Sequence, residues 1–173
     1  MIIWLNGTLG VGKTTAATAL LGLIGGPRIF DPETVGYMPQ SNLADLSVSD
    51  FQHWSAWRPL VVATAHALID QTGQDLIAPQ TVLNEGNMRE ILDAFARKGT
   101  VVLHVLLDCR LDVLRQRIVA SPEATEWRQA HLEAYQAAKP WMRSAARLLV
   151  DTTRATPNEV AEAISTAALP ARG

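Results

Sequence analysis

Five short apolar runs punctuate the chain, at residues 2–5, 28–30, 76–78, 101–107 and 148–150, with longer stretches of helical character between them. This alternation predicts an α/β protein, a five-stranded parallel sheet with helices on both faces. An Ala- and Leu-rich helical stretch, residues 14–24, follows the first run almost directly. Asn87-Met88-Arg89-Glu90 has capping-box spacing, and Arg97-Lys98-Gly99 supplies cations for a last turn and a glycine to stop it. Thr156-Pro157-Asn158-Glu159 is a second box, with proline at the first helical position, and opens a C-terminal helix. Two segments are longer than connection requires. Residues 50–71 read as one long helix with Phe51, Trp54, Trp57 and Arg58 near its start, and residues 121–144 carry Trp127, Arg128, Tyr135, Lys139 and Trp141. With 173 residues and no repeat, low-complexity tract or linker, the chain reads as one domain.

The first run leads into Gly7-Thr8-Leu9-Gly10-Val11-Gly12-Lys13-Thr14, the pattern G-x-x-x-x-G-K-[ST] of a P-loop. A polyphosphate carries several negative charges, and backbone N–H groups can hold it without a matching set of basic side chains. Glycines at 7, 10 and 12 let the backbone close around a phosphate. A helix beginning near Lys13 adds unpaired first-turn N–H groups and a positive dipole end. Gly7, Leu9, Gly10, Val11, Gly12, Lys13, Thr14 and Thr15 are therefore the expected nucleotide-binding residues, with Lys13 on the β- and γ-phosphates and the Thr14 hydroxyl on Mg²⁺. The strand before the motif and the helix after it distinguish this loop from a chance glycine-rich turn.

Composition narrows the partners. A formal charge of −2 offers a nucleic acid no electrostatic support. Arginine outnumbers lysine twelve to three, which suits planar, bidentate contact with phosphate. Cys109 is the only cysteine, which excludes an intramolecular disulfide and a cysteine-based zinc site. No apolar run approaches the ~20 residues that span a bilayer. The chain opens on the P-loop strand rather than on a leader, so a cytoplasmic location is expected.

A P-loop specifies a nucleotide but not a reaction. Neither the Asp-x-x-Gly switch that small GTPases carry after the third strand nor their Asn-Lys-x-Asp base reader occurs here. The third run ends Ile77-Ala78-Pro79-Gln80, without the acidic residue that large ATPases turn toward Mg²⁺, which leaves the metal to Thr14, phosphates and water. Asp31 closes the second run, where α/β sheets bind ligands, and a carboxylate there could take the proton of an attacking hydroxyl. Asp31-Pro32 equally suits an Asx-turn or helix cap, and Glu33 is a weaker rival for the role. Phe51, Trp54 and Arg58 fall at helical spacing with Trp57 adjoining, a face fit for a planar acceptor; alternatively Trp57, Val61, Ala65 and Leu68 form a core stripe that the others flank. Of Arg115, Arg117 and Arg128, the last two are the better candidates to close over transferring phosphate, against the alternative of a solvated helix face. Asn84 and Glu85, just past the third run, could meet acceptor or metal. His53, His66, His104 and His131 have no ligand spacing and read as structural.

These residues bring the chain close to a known family. In Met1-Ile2-Ile3-Trp4-Leu5-Asn6-Gly7, Asp31-Pro32-Glu33, Asp50-Phe51-Gln52, Trp57-Arg58 and Leu114-x-x-Arg117 it resembles the tunicamycin-resistance protein family, within the P-loop small-molecule kinases that include shikimate and chloramphenicol phosphotransferases. The resemblance implies a three-layer P-loop NTPase fold of the nucleotide-kinase type, an acceptor-binding region at about 32–71 and a lid at about 117–144. It also implies ATP rather than GTP, and an ATP- and Mg²⁺-dependent phosphotransfer to a hydroxyl of tunicamycin or a related nucleoside-type antibiotic. Two alternatives stand beside that expectation: an ATP-gated protein that sequesters its ligand against Phe51, Trp54 and Trp57 without chemistry, and a kinase of an endogenous nucleotide or metabolite. A membrane-surface role for the apolar face Val160, Ala163 and Ile164 is weaker, because that face is short, lacks basic flanks and is better explained by core packing.

Overall fold

The structure is a computed structural model that describes residues 1–40, 42–43, 45–46, 48, 50–120 and 126–169, without the side chains of residues 126–130. Strands β1 (Ile2–Asn6), β2 (Arg28–Ile29), β3 (Leu76–Pro79), β4 (Val102–Asp108) and β5 (Leu148–Asp151) pair in parallel in the order β2-β3-β1-β4-β5. All five expected runs are strands. Leu5 stands opposite both Pro79 and Val105, so the ends of the three central strands lie level and their loops emerge together. β1 is wholly buried, as a strand covered on both faces must be. β2 is short, exposed and at the edge, bounded by Gly25-Gly26-Pro27 before it and Pro32 after.

Around the sheet run α1 (Lys13–Leu23), α2 (Pro32–Gln40), α3 (Trp57–Thr72), α4 (Glu85–Arg97), α5 (Leu111–Val119), α6 (Glu126–Ala145) and α7 (Pro157–Ala168). One face of the sheet packs Ile3, Leu5 and Val105 with Leu20 of α1, Ile118 of α5 and Ile164 of α7. The other packs Ile2, Trp4 and Ala78 with Val61 of α3 and Ile91 and Phe95 of α4. The result is the expected three-layer P-loop kinase-like fold. Val160 and Ile164 of α7 lie in the core, so the membrane-surface reading of that face does not hold. Thr156 closes a full capping box with Glu159, as its sequence predicts.

Two expectations about helices need correction, and one further helix needs explaining. Residues 50–71 are not one helix: Phe51–His53 is a single 3₁₀ turn, and α3 begins only at Trp57. Pro59 supplies the reason, since a longer helix would require its missing N–H and set its ring against the Ser55 carbonyl, whereas the first turn tolerates it. Phe51, Trp54 and Arg58 therefore do not share a helical face. α4 begins three residues before the expected box, with the Asn84 side chain accepting from the Asn87 N–H at 2.9 Å, while Glu90 pairs with Arg58 instead of capping. Finally, α2 forms despite Gly36 and Pro39 because packing overrides propensity. A Cβ at Gly36 would come within 2.5 Å of the Phe51 ring, so glycine is what lets the two segments meet.

Candidate active site

The phosphate loop leaves β1 and wraps against the end of β4. Gly7 sits at φ 143° with its α-carbon facing the Leu107 carbonyl, where a Cβ would stand only 2.6 Å from the oxygen. Gly12, at φ 99°, turns the chain into α1 and offers no side-chain cap, so the first-turn N–H groups stay open toward the loop. Lys13 folds back beneath it, donating from Nζ to the carbonyls of Gly7 (3.1 Å) and Thr8 (2.9 Å). Burial pushes the ammonium down to about 8, against the opposing pull of the Glu33 carboxylate. The Thr8 hydroxyl is buried without a hydrogen-bond partner. An orphaned hydroxyl, a partly desolvated ammonium and open helix N–H groups in one loop fit a polyphosphate.

A cavity of about 650 Å³ continues from this loop. Residues 9–16 form one wall, Arg117 and Ile118 of α5 a second, and Thr152, Ala155 and Pro157 a third. The loop after β5 thus lines the same space as the phosphate loop. Gly7 is not on that lining and serves at the loop's root, and Val11 is buried in the core, so what Val11 offers the cavity is chiefly its backbone. Arg117 reaches across to Thr152, donating from Nη2 to its carbonyl at 2.8 Å, which sets the guanidinium by the β5 loop. Arg115 is exposed. The side chains of Trp127 and Arg128 lie outside the described residues.

Sequence reasoning missed the group beneath this wall. Asp108 ends β4 nearly buried, and its Oδ1 accepts from Tyr135 Oη (2.7 Å) and Lys139 Nζ (2.8 Å) of α6 and from the Cys109 N–H (2.8 Å). Burial pushes the Asp108 carboxyl up, but the Lys139 ammonium, the Tyr135 hydroxyl and the Cys109 N–H outweigh it, and the net shift is downward. The Asp108 carbonyl accepts from the Thr152 N–H (2.8 Å) and hydroxyl (3.1 Å), so one residue ties α6 to the cavity wall that holds Arg117. An acid closing a central strand was the available signal. Asn6 was missed too: wholly buried, it accepts from the N–H groups of Gly7 (2.8 Å) and Val82 (2.9 Å) and clamps the phosphate loop to the loop after β3.

On the other side of Lys13, Asp31 accepts from the Glu33 N–H through Oδ1 (2.9 Å) and from the Thr34 hydroxyl through its carbonyl (2.7 Å). That is the turn-and-cap geometry opening α2, so at least one carboxylate oxygen has a structural duty. Glu33 is exposed, acts on Lys13, and accepts from Tyr37 Oη at 2.6 Å. The aromatic residues are more deeply placed than expected. Trp57 is wholly buried, its indole N–H donating to the Pro32 carbonyl (3.0 Å), and it meets the Phe51 ring edge-on at 5.4 Å. Trp54 is buried and donates to the Leu46 carbonyl (3.2 Å). Arg58 pairs with Glu90 (2.5 Å) and reaches the carbonyls of Gln52 and Trp54. Phe51 and Arg58 are half-buried, and the Phe51 ring lies between those of Tyr37 and Trp57. Among the described residues no group of three or more His, Cys, Asp or Glu could hold a metal ion, and no helix is long and apolar enough to cross a membrane.

Sheet order, phosphate loop and adjoining cavity together define a P-loop kinase-like protein. The AAA domain family model matches residues 2–144, and the chain belongs to that family. No curated protein matches the chain. Among solved structures it is similar to the Deinococcus radiodurans tunicamycin resistance protein (24% identity, TM-score 0.78, covering 96% of this chain and 94% of that one). It is also similar to Acinetobacter baumannii shikimate kinase in complex with shikimate (18%, 0.63, 99% and 94%) and to Mycobacterium tuberculosis APS kinase in complex with AMPPNP and APS (15%, 0.63, 95% and 95%). At these identities the likeness is one of fold, and at that level it bears out the resemblance seen in the sequence.

Proposed function

We propose that this protein is an ATP- and Mg²⁺-dependent kinase that moves the γ-phosphate of ATP to a hydroxyl of a small molecule, tunicamycin or a related nucleoside-type antibiotic, and so protects against it. The observation that carries this reading is that the Lys13 ammonium, on the phosphate loop, feels the charge of Glu33, whose N–H is held by Asp31 at the end of β2. Phosphoryl transfer needs a cation on the phosphates and a proton acceptor beside the attacking oxygen, held across one gap. In this reading the loop amides and Lys13 hold the β- and γ-phosphates, and the base lies between Arg117 and the loop after β5. The Thr14 hydroxyl, with phosphate oxygens, would hold Mg²⁺, which supplies charge neutralisation when bound. Asp31 takes the proton as the acceptor oxygen bonds to the γ-phosphorus and the bond to the β,γ-bridging oxygen breaks, releasing ADP. Phe51, Trp54, Trp57 and Arg58 shape the acceptor wall, Phe51 and Arg58 by contact and the two buried tryptophans from behind. Arg128 joins Arg117 as part of a lid at about residues 117–144, and residues 32–71 form the acceptor region of a single domain. The choice of acceptor is supported by the likeness to the Deinococcus radiodurans protein.

Mass spectrometry of tunicamycin incubated with ATP, Mg²⁺ and protein, beside a Lys13→Ala control, tests the proposal. A gain of one phosphoryl group that vanishes in the control is expected. Binding of both ligands without any gain would replace this reading with sequestration or with another acceptor, to be sought in a metabolite panel.

A further inference from the structure

We infer that Thr81 is a positioning residue for nucleotide capture, holding the Gly7 carbonyl that Lys13 must release, and that Gln52 links it to the acceptor side of the protein. The inference rests on the nucleotide-binding half of the proposed function and needs no knowledge of the acceptor.

The Gly7 carbonyl receives two donors, Lys13 Nζ at 3.1 Å and Thr81 Oγ1 at 2.7 Å. To reach a phosphate Lys13 must leave the carbonyls of Gly7 and Thr8, and a buried acceptor that loses its last donor opposes that departure. Gly7 retains Thr81. The hydroxyl therefore lowers the barrier to moving the lysine by keeping the carbonyl satisfied in both positions, and it also competes for that carbonyl while the lysine is folded back. Thr81 is itself held: its carbonyl accepts from Gln52 Nε2 (3.1 Å) and Gln80 Nε2 (3.0 Å). Gln52 belongs to the 3₁₀ turn beside Phe51, and its own carbonyl accepts from Asn87 Nδ2 and Arg58 Nη1, both at 3.3 Å. A continuous line of hydrogen bonds thus runs from the acceptor-side turn through Gln52, Thr81 and the Gly7 carbonyl to Lys13. Any ligand that shifts the turn biases the lysine, and by linkage nucleotide biases the turn by the same factor. Glu33 is the charged group facing Lys13 from α2, and it lies outside this line.

The test is calorimetric titration of the full chain with ADP at about pH 8, in buffers of differing ionisation enthalpy, comparing wild type with Thr81→Val, Thr81→Ser and Gln52→Ala. Valine keeps the shape and removes the hydroxyl. It is expected to weaken ADP binding roughly tenfold, with serine restoring it to within about twofold, and Gln52→Ala to weaken it about threefold. A proton count separates this role from a merely structural one. Left alone with Gly7, the retracted ammonium is better held in Thr81→Val, so fewer protons are taken up per ADP bound than in wild type. Wild-type affinity and proton uptake in Thr81→Val would overturn the inference. If that variant does not fold, unchanged affinity in Gln52→Ala does so. Failure of the wild type itself to bind ADP would remove the kinase reading and this inference together.

Discussion

The two sides of Lys13 are built on different principles. The proposed nucleotide side is a contiguous stretch, residues 9–16, whose recognition groups would be largely backbone N–H donors, completed by Arg117 and the loop after β5. The proposed acceptor side is drawn from α2, the 3₁₀ turn and the start of α3, and its distinctive side chains are already engaged with the protein. Trp57 donates to Pro32, Trp54 to Leu46, and Arg58 holds Glu90 and two carbonyls. Backbone recognition imposes a spacing of glycines that nothing else in a protein requires. Side-chain recognition uses the same aromatics and arginines that packing uses, so the acceptor side can change its ligand with few substitutions while the nucleotide side cannot.

The sharpest way to test that division is to strike each side once. Lys13→Ala removes the ammonium under the phosphate loop and is expected to lower turnover by on the order of 10³-fold, with a loss of ADP affinity seen in the same protein by titration. Asp31→Asn keeps the shape of the cap at α2 and removes the charge, and is expected to lower turnover by on the order of 10²-fold with ATP affinity nearly intact. Unchanged turnover in Asp31→Asn would take Asp31 out of the mechanism and hand its role to Glu33, which Glu33→Gln would then expose.

A pH profile provides a third, smaller test confined to the nucleotide side. Lys13 titrates at about 8 in the free protein, lowered by burial, and a bound phosphate must raise it. Below about pH 8 the lysine is charged in both states and its contribution to affinity is complete. Above that, binding must recapture a proton, and ADP affinity falls about tenfold per pH unit until the bound-state value is passed. Measured ADP dissociation constants between about pH 7 and 9.5 should follow that course in wild type and run flat in Lys13→Met. A flat wild-type profile would mean that the retracted lysine is not the state nucleotide meets.

The same contrast explains what could be read in advance. The sheet was legible because β1, β3 and β4 are largely buried on both faces and so are apolar along most of their length, and the phosphate loop because its glycines serve one geometry. The broken helix at residues 50–71 was misread because the spacing of Phe51, Trp54 and Arg58 imitates a helix, while the decisive residue is Pro59, directly after Arg58. Asp108 and Asn6 gave no spacing at all. Each acts on partners far along the chain, Asp108 on Tyr135 and Lys139 and Asn6 on Val82, and only the folded sheet brings them level. The α2 helix was hidden for the opposite reason, since Gly36 and Pro39 argue against a helix and only the Phe51 ring packed over Gly36 explains it.

The smallest expected effect falls where the two sides touch. Tyr37 is exposed, and its hydroxyl is pushed up to about 12, chiefly by its 2.6 Å hydrogen bond to Glu33 and then by desolvation and the Glu33 and Asp31 charges. The hydroxyl therefore stays protonated as a donor throughout the working range, orienting the carboxylate that faces Lys13. Tyr37→Phe deletes that donor and keeps the ring that meets Phe51 at 6.3 Å. If Glu33 belongs to the acceptor side, the variant should raise the acceptor KM about two- to fivefold, leave kcat within about twofold, and leave the ADP dissociation constant where it was, as loss of one solvent-accessible hydrogen bond to a carboxylate implies. If instead ADP binding weakens while the acceptor KM stands still, the freed carboxylate is turning to Lys13 and competing with phosphate for it. Glu33 would then be a brake on the nucleotide side, and the boundary between the two sides would run along α2 rather than through the gap above Lys13.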